Sequence, residues 1–554
     1  MLSSRLGFGP PTMSDVDREL PSAARSGRQA RTVVVLASDQ REVDALRIDR
    51  SPWAKAPVVQ IVGRSAAETH GVLAALSGVG LVVDTRRASS DAVQLGSFAG
   101  QFFHLDPRGA WVALRPARRA QTPEPLIELA EQLADPQSRS QLPESWHDHA
   151  RAVGEVRVTP RMVVIGKRRR HLLRLRDSEA LVLLPSREPG LRVTEIARLD
   201  GGVLDNRGLA TEYGGAPDPQ VPELLPYPAH AVRRYDGPVH TPRAHFFHHG
   251  RSALPESFRW HLTPQPEAHG LVNVDEHFGL LQTKQPGPTL DGSYYPLLYN
   301  NPGHFGHLMT EALAKLWGWG PAKAADPSLK LLCRLHPTKE QTVERRLEMT
   351  LLPALGIPPE DIVFVKGPVT VTSMVGCTPM WHNAPPFYVH PAILDTWGRL
   401  RTGLIGTDPV SVAPKIFVTR REGKRLCSNF PEVEALFAAH GFEIVSPETL
   451  SIPEQVAMFA GARVVAGFGG AGMFNLVYAE AVQTVIVLDQ WAYQARNEHL
   501  FAAAHRARLH CFWNRPMKDH PPGGFSYRAH QSGWTFDFES NGDHLRQVLE
   551  GLVE

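Results

Sequence analysis

Three groups of residues have the types and spacing to do chemistry. The first is a knot of cations, Arg420, Arg421, Lys424 and Arg425, just past the apolar run 416–418. A strand that ends among cations offers an anionic ligand a place to sit. The second is Gly467-Phe468-Gly469-Gly470-Ala471-Gly472, which follows a strand-like run at 463–466 and opens a helical one. Unpaired backbone N–H groups and a helix dipole at such a turn are placed to hold a diphosphate. The third is His304, His307 and Glu311, spaced i, i+3 and i+7, which share one face of a helix predicted over 303–316. A carboxylate or imidazole there can take a proton from a hydroxyl. A divalent metal is the weaker use of the trio, because no third ligand segment accompanies it.

These groups need a scaffold, and the pattern from 415 to 489 supplies one. Ser451 and Glu454 form a capping box with Pro453 in the first turn, and Val456, Phe459 and Ala460 give that helix its buried face. The strand 463–466 then runs into the glycine turn, and a further strand, 484–488, ends at Asp489. Asn475 falls in the first turns of the helix after the glycines, where a local side-chain contact is its plain use. Gly467, Gly469 and Gly472 also satisfy the G-x-G-x-x-G dinucleotide pattern, with Asp489 where a ribose-binding acid would stand. An NAD(P)-dependent oxidoreductase is therefore an alternative, weakened because too little chain follows Asp489 to complete a dinucleotide domain that should begin at the fingerprint. A third use of the glycines is tight strand-helix packing alone.

The order of these pieces resembles glycosyltransferase family 61, which includes plant xylosyltransferases, O-GlcNAc transferases of secreted domains and bacterial polysaccharide-biosynthesis proteins. Arg420 with Arg425 resembles the family's arginine-bearing strand end, Asn429 to Glu432 its Asn-Glu region, and Leu450-Ser451-Ile452-Pro453-Glu454-Gln455 its LSFxEQ helix start. Gly469 to Asn475 is similar to its H-G-A-G-L-x-N loop, with Gly469 where the family has histidine. His307-Leu308-Met309-Thr310-Glu311 is similar to its H-W-x-x-E/D signature. The resemblance covers roughly 295–490. It implies an α/β fold with a GT-B-like pair of Rossmann-like lobes, here with an additional N-terminal α/β domain. It further implies inverting transfer from a nucleotide sugar to a glycan or glycoconjugate, of the bacterial polysaccharide-biosynthesis kind, and the loop with its arginines, able to neutralise a leaving diphosphate, adds the expectation of metal independence. The donor site would be Arg420, Arg425, Gly469, Gly470, Ala471, Gly472, Asn475 and Glu454. Glu311 would be the base, with His307 orienting it or serving in its place. No metal and no cofactor is implied, the nucleotide sugar being a substrate. Glycine in place of the loop histidine leaves a catalytically inactive nucleotide-sugar-binding protein as another alternative.

The composition sets bounds on all three readings. A chain of 554 residues with 42% hydrophobic and 21% charged residues is long enough for two to four globular domains. Its 59 basic and 57 acidic residues leave a formal net charge of +2, so no global field recruits nucleic acid. The cysteines, Cys333, Cys377, Cys427 and Cys511, form no C-x-x-C pair. No run approaches the ~20 apolar residues of a membrane span, and 1–31 lacks a signal-peptide core. The expectation is a cytoplasmic protein with at most peripheral membrane contact.

The expected organisation is a disordered tail over 1–30, with Met13 a candidate start, a small α/β domain over 31–120, and a helical connector with linker over 121–156. A β-rich segment with the first, acceptor-side lobe follows over 157–405, and the second, nucleotide-sugar lobe over 406–554. Strands are predicted at 33–36, 58–62, 81–83, 162–165 and 180–184, and a helix at 66–76. Asp39 and Asp84 stand at strand ends in the first domain. Lys167 to Arg170 reads as a solvated charged turn, and the cluster His245, His248 and His249 as coincidence among 25 histidines.

Overall fold

β-Branched runs alternating with amphipathic helices give a mixed α/β fold in which the strands gather into several sheets. The computed structural model describes residues 10–26, 28–86, 91–115, 125–215, 217–243, 245–282, 287–336, 342–406 and 412–552. Two units separate. The first comprises Met1–Arg192 with His248–Leu254 and Gly270–Lys284, and the second Val193–Phe247, Pro255–His269 and Gln285–Glu554. No helix among the described residues is long and apolar enough to cross a membrane.

In the first unit one sheet runs in the order Val58–Val62, Thr32–Ala37, Val79–Asp84, Ala110–Leu114, Met162–Lys167, Val153–Val158. The first four strands are parallel and the last two antiparallel. Val33, Val34, Val35, Val82 and Val112 are fully buried, as expected of a sheet covered on both faces. This sheet corrects two expected boundaries. Met162–Lys167 pairs with Ala110–Leu114, so the sheet expected within 31–120 takes in strands from the assumed connector and β-rich segment. The run expected as a strand at 180–184 lies in a helix, Asp177–Arg187, because Ala180, Leu184 and Arg187 are buried at helical spacing. Lys167 is buried, its ammonium donating to the carbonyls of Phe103 (2.7 Å) and Leu105 (2.6 Å), and is not part of a solvated turn.

The expected tail is also corrected where it is described. Thr12 and Asp15 make a capping box on the helix Met13–Glu19, and Met13, Val16 and Leu20 are fully buried in the first unit's core beside Trp53. The Trp53 indole N–H donates to Asp17 at 2.9 Å. Residues 1–9 and 27 lie outside the described residues.

Beside two-stranded pairs at Gly202–Asp205 with Leu224–Tyr227 and at Trp381–His382 with Tyr388–Val389, the second unit carries two larger sheets. One runs His230–Thr241, Val369–Cys377, Thr289–Pro296, Lys330–Arg334, Ile362–Val365, antiparallel at its first pairing and parallel after that. The other is wholly parallel and runs Ala210–Tyr213, Arg508–Asn514, Thr484–Gln490, Val464–Phe468, Lys415–Val418, Glu443–Val445. Its first strand comes from the region expected to serve the other lobe, so 406 is not where this sheet's membership begins. A shared core joins the two sheets through Leu331, Val375, Trp397, Val465, Val485 and Phe501. Of the expected connection at 402–414, residues up to 404 finish the helix Ile393–Leu404, and 407–411 lie outside the described residues.

The packing of the first helix gives a direct test. Replacing fully buried Leu20 by Ala should destabilise the first unit by about 2–5 kcal/mol, the usual range for such a core deletion. Denaturant unfolding of the whole chain, with hydrogen exchange at the amides of Thr32–Ala37 and Val79–Asp84 reporting the first unit, measures it. An unchanged midpoint would return this segment to a dispensable tail.

Candidate active site

The parallel sheet of the second unit reverses its build order between two strands. The chain goes from Lys415–Val418 outward to Glu443–Val445, then returns to the other side at Val464–Phe468. The crevice beyond the carboxyl ends of Lys415–Val418 and Val464–Phe468 is where ligands of such sheets bind. The cations Arg420 and Arg425 follow the first of these strands, and Gly469 and Gly470 end the second.

Local geometry brings them together. Arg420 Nη2 donates to the Gly469 carbonyl at 2.8 Å. Arg425 lies over the Tyr493 ring, 3.9 Å from its centroid, and holds a left-handed φ of 55° that side chains rarely adopt. Gly470 sits at φ 124°, ψ −158°, a region essentially reserved for glycine, and a Cβ there would stand 2.5 Å from Arg420 Nη2 and nearer still to Arg425 Nη2. Glycine thus keeps the space in front of two guanidiniums open. The turn continues as a 3-10 helix, Ala471–Tyr478, where an α-helix was expected. The amides of Ala471 and Gly472, at its first positions, have no backbone acceptor among the described residues. Burial and the neighbouring Arg425 both lower the Arg420 pKa, so an anion in front of them is favourable.

The segment from 305 to 325 is broken into an α turn Phe305–His307, a π-helix Leu308–Ala312, a 3-10 stretch Leu313–Gly318 and an α-helix Trp319–Ala325, where one regular helix over 303–316 was expected. Such wide turns concentrate at functional sites. The His307 Nδ1 pairs with Glu311 Oε1, which also takes Arg259 Nη1 at 3.0 Å, while the Asn300 amide donates to Glu311 Oε2 at 3.0 Å. Burial would raise the Glu311 carboxyl, yet Arg259, the His307 hydrogen bond and the Asn300 amide outweigh it and bring it down to about 2. A buried carboxylate with three donors and so low a pKa is a poor base. If Nδ1–H is given to Glu311, Nε2 of His307 is left as the acceptor, so this geometry suits Glu311 to orienting the imidazole.

His304 and His307 face Arg420, Lys424 and Arg425 across one cleft of about 800 Å³, which Ala471 and Phe474 also line. The two walls are held in register. A Cβ on Gly306 would meet the Phe474 ring at 3.0 Å, so glycine there lets the wall bearing His307 approach the glycine turn. Asn497 Oδ1 accepts from Trp381 Nε1 (3.2 Å) and Asn383 Nδ2 (2.8 Å), and Asn383 Oδ1 accepts from Trp260 Nε1 (3.0 Å). A second cavity of about 680 Å³ lies past Arg420 and Ala471, lined also by Thr419, Ser446, Glu448 and Thr449.

Several expected site residues fall elsewhere. Glu454 is exposed and serves only the Ser451 cap, accepting the Ser451 amide at 2.7 Å. Asn475 is buried, its Nδ2 donating to the Gly472 carbonyl at 3.0 Å, so it braces the turn from behind. Gly469 carries no side chain to a ligand; a Cβ there would overlap the Asp489 carboxylate. Asp489 is buried beneath the turn and does not line the cleft, which removes it as a ribose-binding acid. Arg421 turns away to Glu434, 3.0 Å distant. Sequence reasoning missed Arg259, Asn383 and Asn497, which no motif marks. Among the described residues no group of three His, Cys, Asp or Glu is placed to hold a metal ion.

Residues 305–487 match the family model Glycosyltransferase 61. No protein of curated function matches the chain. Among solved structures, the MycE methyltransferase of the mycinamycin biosynthetic pathway with Mg and SAH matches at 14% identity, over 29% of this chain and 54% of that one, with a TM-score of 0.22. The same enzyme with mycinamycin VI also bound gives 15% identity, over 29% and 54%, and a TM-score of 0.21. This chain thus spans about half the length of those structures, and so low a TM-score carries no inference. The family match is of another kind, because it begins at the turn bearing His307 and Glu311, includes Arg420, Arg425 and the glycine turn, and ends just before Asp489. Over residues 305–487 the chain is thus similar to glycosyltransferase family 61.

Proposed function

We propose that this protein transfers a sugar from a nucleotide-sugar donor to a glycan or glycoconjugate acceptor by a single inverting displacement, without a metal ion. The observation that carries this reading is one cleft with a glycine-fronted arginine pair on one wall and a carboxylate-oriented imidazole on the other. The two sheets of the second unit then act as a GT-B-type pair of lobes, with the first unit as an added α/β domain. Arg420, Arg425 and the Ala471 and Gly472 amides hold the diphosphate. The nucleoside reaches past Arg420 into the second cavity, where Ser446, Glu448 and Thr449 offer polar groups to a ribose. The sugar points into the larger cleft. His307 Nε2 takes the proton of the acceptor hydroxyl as that oxygen attacks C1, and the bond from C1 to the diphosphate oxygen breaks on the opposite face. The arginines and amides stabilise the leaving diphosphate in place of a cation. Nucleotide sugars are cytoplasmic metabolites, and we place the enzyme there, in polysaccharide synthesis of the bacterial kind.

A thermal-shift panel of UDP-, GDP- and CMP-sugars beside NAD and NADP tests the donor class. A true donor at 100 times its Kd should add about 2.7 kcal/mol of stability. Arg420→Ala or Arg425→Ala should weaken that donor by about 1.5–3 kcal/mol, roughly 10- to 150-fold in Kd. Gly470 variants are a poorer test, since any side chain there strains the backbone as well as filling the site. Full affinity in both arginine variants would put the anion site elsewhere.

The base is tested by His307→Ala, which should keep donor affinity and lose about 10²–10⁴-fold in kcat. Glu311→Gln keeps an acceptor for Nδ1–H, so its loss should be smaller. A larger loss in Glu311→Gln than in His307→Ala would return the base to Glu311.

Activity should persist in EDTA, since guanidinium groups take the cation's place. Loss in EDTA that Mn²⁺ or Mg²⁺ restores would bring a metal into the mechanism.

A further inference from the structure

Beneath the glycine turn lie two carboxylates that no step above uses. Asp489 ends the strand Thr484–Gln490 and is 2% exposed. Its Oδ1 accepts the Gln490 amide at 2.8 Å, while its Oδ2 is buried with no hydrogen-bond partner among the described residues. Glu498 stands in the first turn of the helix Asn497–His505, 3% exposed, and its Oε1 accepts the Gly470 amide at 2.6 Å. The Asp489 Oδ2 fills the volume a Cβ on Gly469 would need, and the Arg420 and Arg425 guanidiniums fill the volume a Cβ on Gly470 would need. The orphan oxygen and the guanidiniums therefore flank two consecutive residues of one turn, and the arginines act on Asp489 through charge.

We infer that Asp489 and Glu498 are the resident counter-anions of the Arg420 and Arg425 pair, and that a donor diphosphate takes over this role, so that donor binding draws a proton into the protein. The inference rests on the donor reading above and names how that site keeps its charge balance. Asp489 is faced by Arg420 and Arg425 from the loop after Lys415–Val418, by Cys427 further along it, by Cys511 from the adjacent strand Arg508–Asn514, and by Tyr493, Arg496 and Glu498 from the segment that follows it. Glu498 is faced by Asp489, Arg425, Arg420, Tyr493, Arg496 and Cys511.

The balance between these groups is close. Burial pushes Asp489 up to about 6 against the arginines, and burial together with Asp489 pushes Glu498 up to about 7. A diphosphate in front of the same arginines adds negative charge beside both carboxyls and disfavours their ionised forms further. Whichever is ionised at neutral pH then takes up a proton as the donor binds. By linkage, affinity is highest where both are already protonated and falls as pH rises through about 6 to 7. The diphosphate diester of a nucleotide sugar keeps its two charges throughout that range, so the uptake belongs to the protein.

Calorimetric titration of the whole chain with UDP-glucose, UDP-N-acetylglucosamine and GDP-mannose, at neutral pH in two buffers of different ionisation enthalpy, counts the protons. Wild type should take up about half a proton or more per donor bound. Glu498→Gln, which keeps an oxygen for the Gly470 amide, and Asp489→Asn should each lower that count and flatten the affinity against pH. Donor binding by wild type without net proton uptake overturns the coupling alone, and that measurement needs no variant to fold. Uptake unchanged in both variants also overturns it. No binding of any of the three donors overturns the donor reading and the coupling with it.

Discussion

Two like charges held side by side at the end of a strand are the constraint around which the second sheet's site is built. At about 4 Å and an effective dielectric near 20, a pair of unit charges repels by about 4 kcal/mol. The fold spreads that cost over several devices. Arg420 gives a hydrogen bond to the Gly469 carbonyl, whose partial charge opposes its own. Arg425 lies on the Tyr493 ring, where the π face attracts a cation. Gly470 leaves the front of both guanidiniums open, and Asp489 and Glu498 stand behind the turn.

Much of this was legible before the structure because it rests on local rules. Glycines between a strand and a helix, a capping box at Ser451, cations past an apolar run and a His307–Glu311 spacing of four residues each act within a few residues of sequence. The strands expected at 416–418, 463–466 and 484–488 lie within about two residues of those places for the same reason, whereas Ala210–Tyr213, Glu443–Val445 and Arg508–Asn514 of the same sheet were not expected. Glu454 and Asn475 show the limit of motif reading: both are in the motif, and both serve the backbone, one as a cap and one as a brace. Arg259, Asn383 and Asn497 were invisible, because each is delivered from an irregular segment and gains its role only from a partner far along the chain. The first helix was missed because three apolar residues, Met13, Val16 and Leu20, are too few to stand out from a polar, arginine-rich context, though all three are buried.

The surroundings of three buried carboxylates in one unit push Glu311 down and Asp489 and Glu498 up. Glu311 receives three donors, one of them a guanidinium, and is held near 2. Asp489 and Glu498 lie close enough to repel each other, and the arginines before them are shared. Environments that drive apart the pKa values of like groups mark separate roles. A carboxylate fixed in its charged form is suited to hold an imidazole in one tautomer, and a pair poised near neutrality is suited to answer a change of charge in front of it.

These two electrostatic centres are joined by a continuous set of polar contacts. Glu311 is bound by Arg259, whose guanidinium lies 4.8 Å from the centroid of the Trp260 ring, and Trp260 donates to Asn383. Asn383 donates to Asn497, the residue before Glu498, and Glu498 holds the Gly470 amide. On the proposed donor site, these contacts would link the glycine turn to the carboxylate beside His307. Because hydrogen bonds weaken steeply when bent, the chain favours one separation between turn and imidazole. The Phe474 ring against Gly306 enforces the same separation by contact. A base that must meet an acceptor hydroxyl within hydrogen-bond reach while the donor's C1 lies beside it gains from that fixed spacing, since reacting atoms already near contact distance need little further ordering.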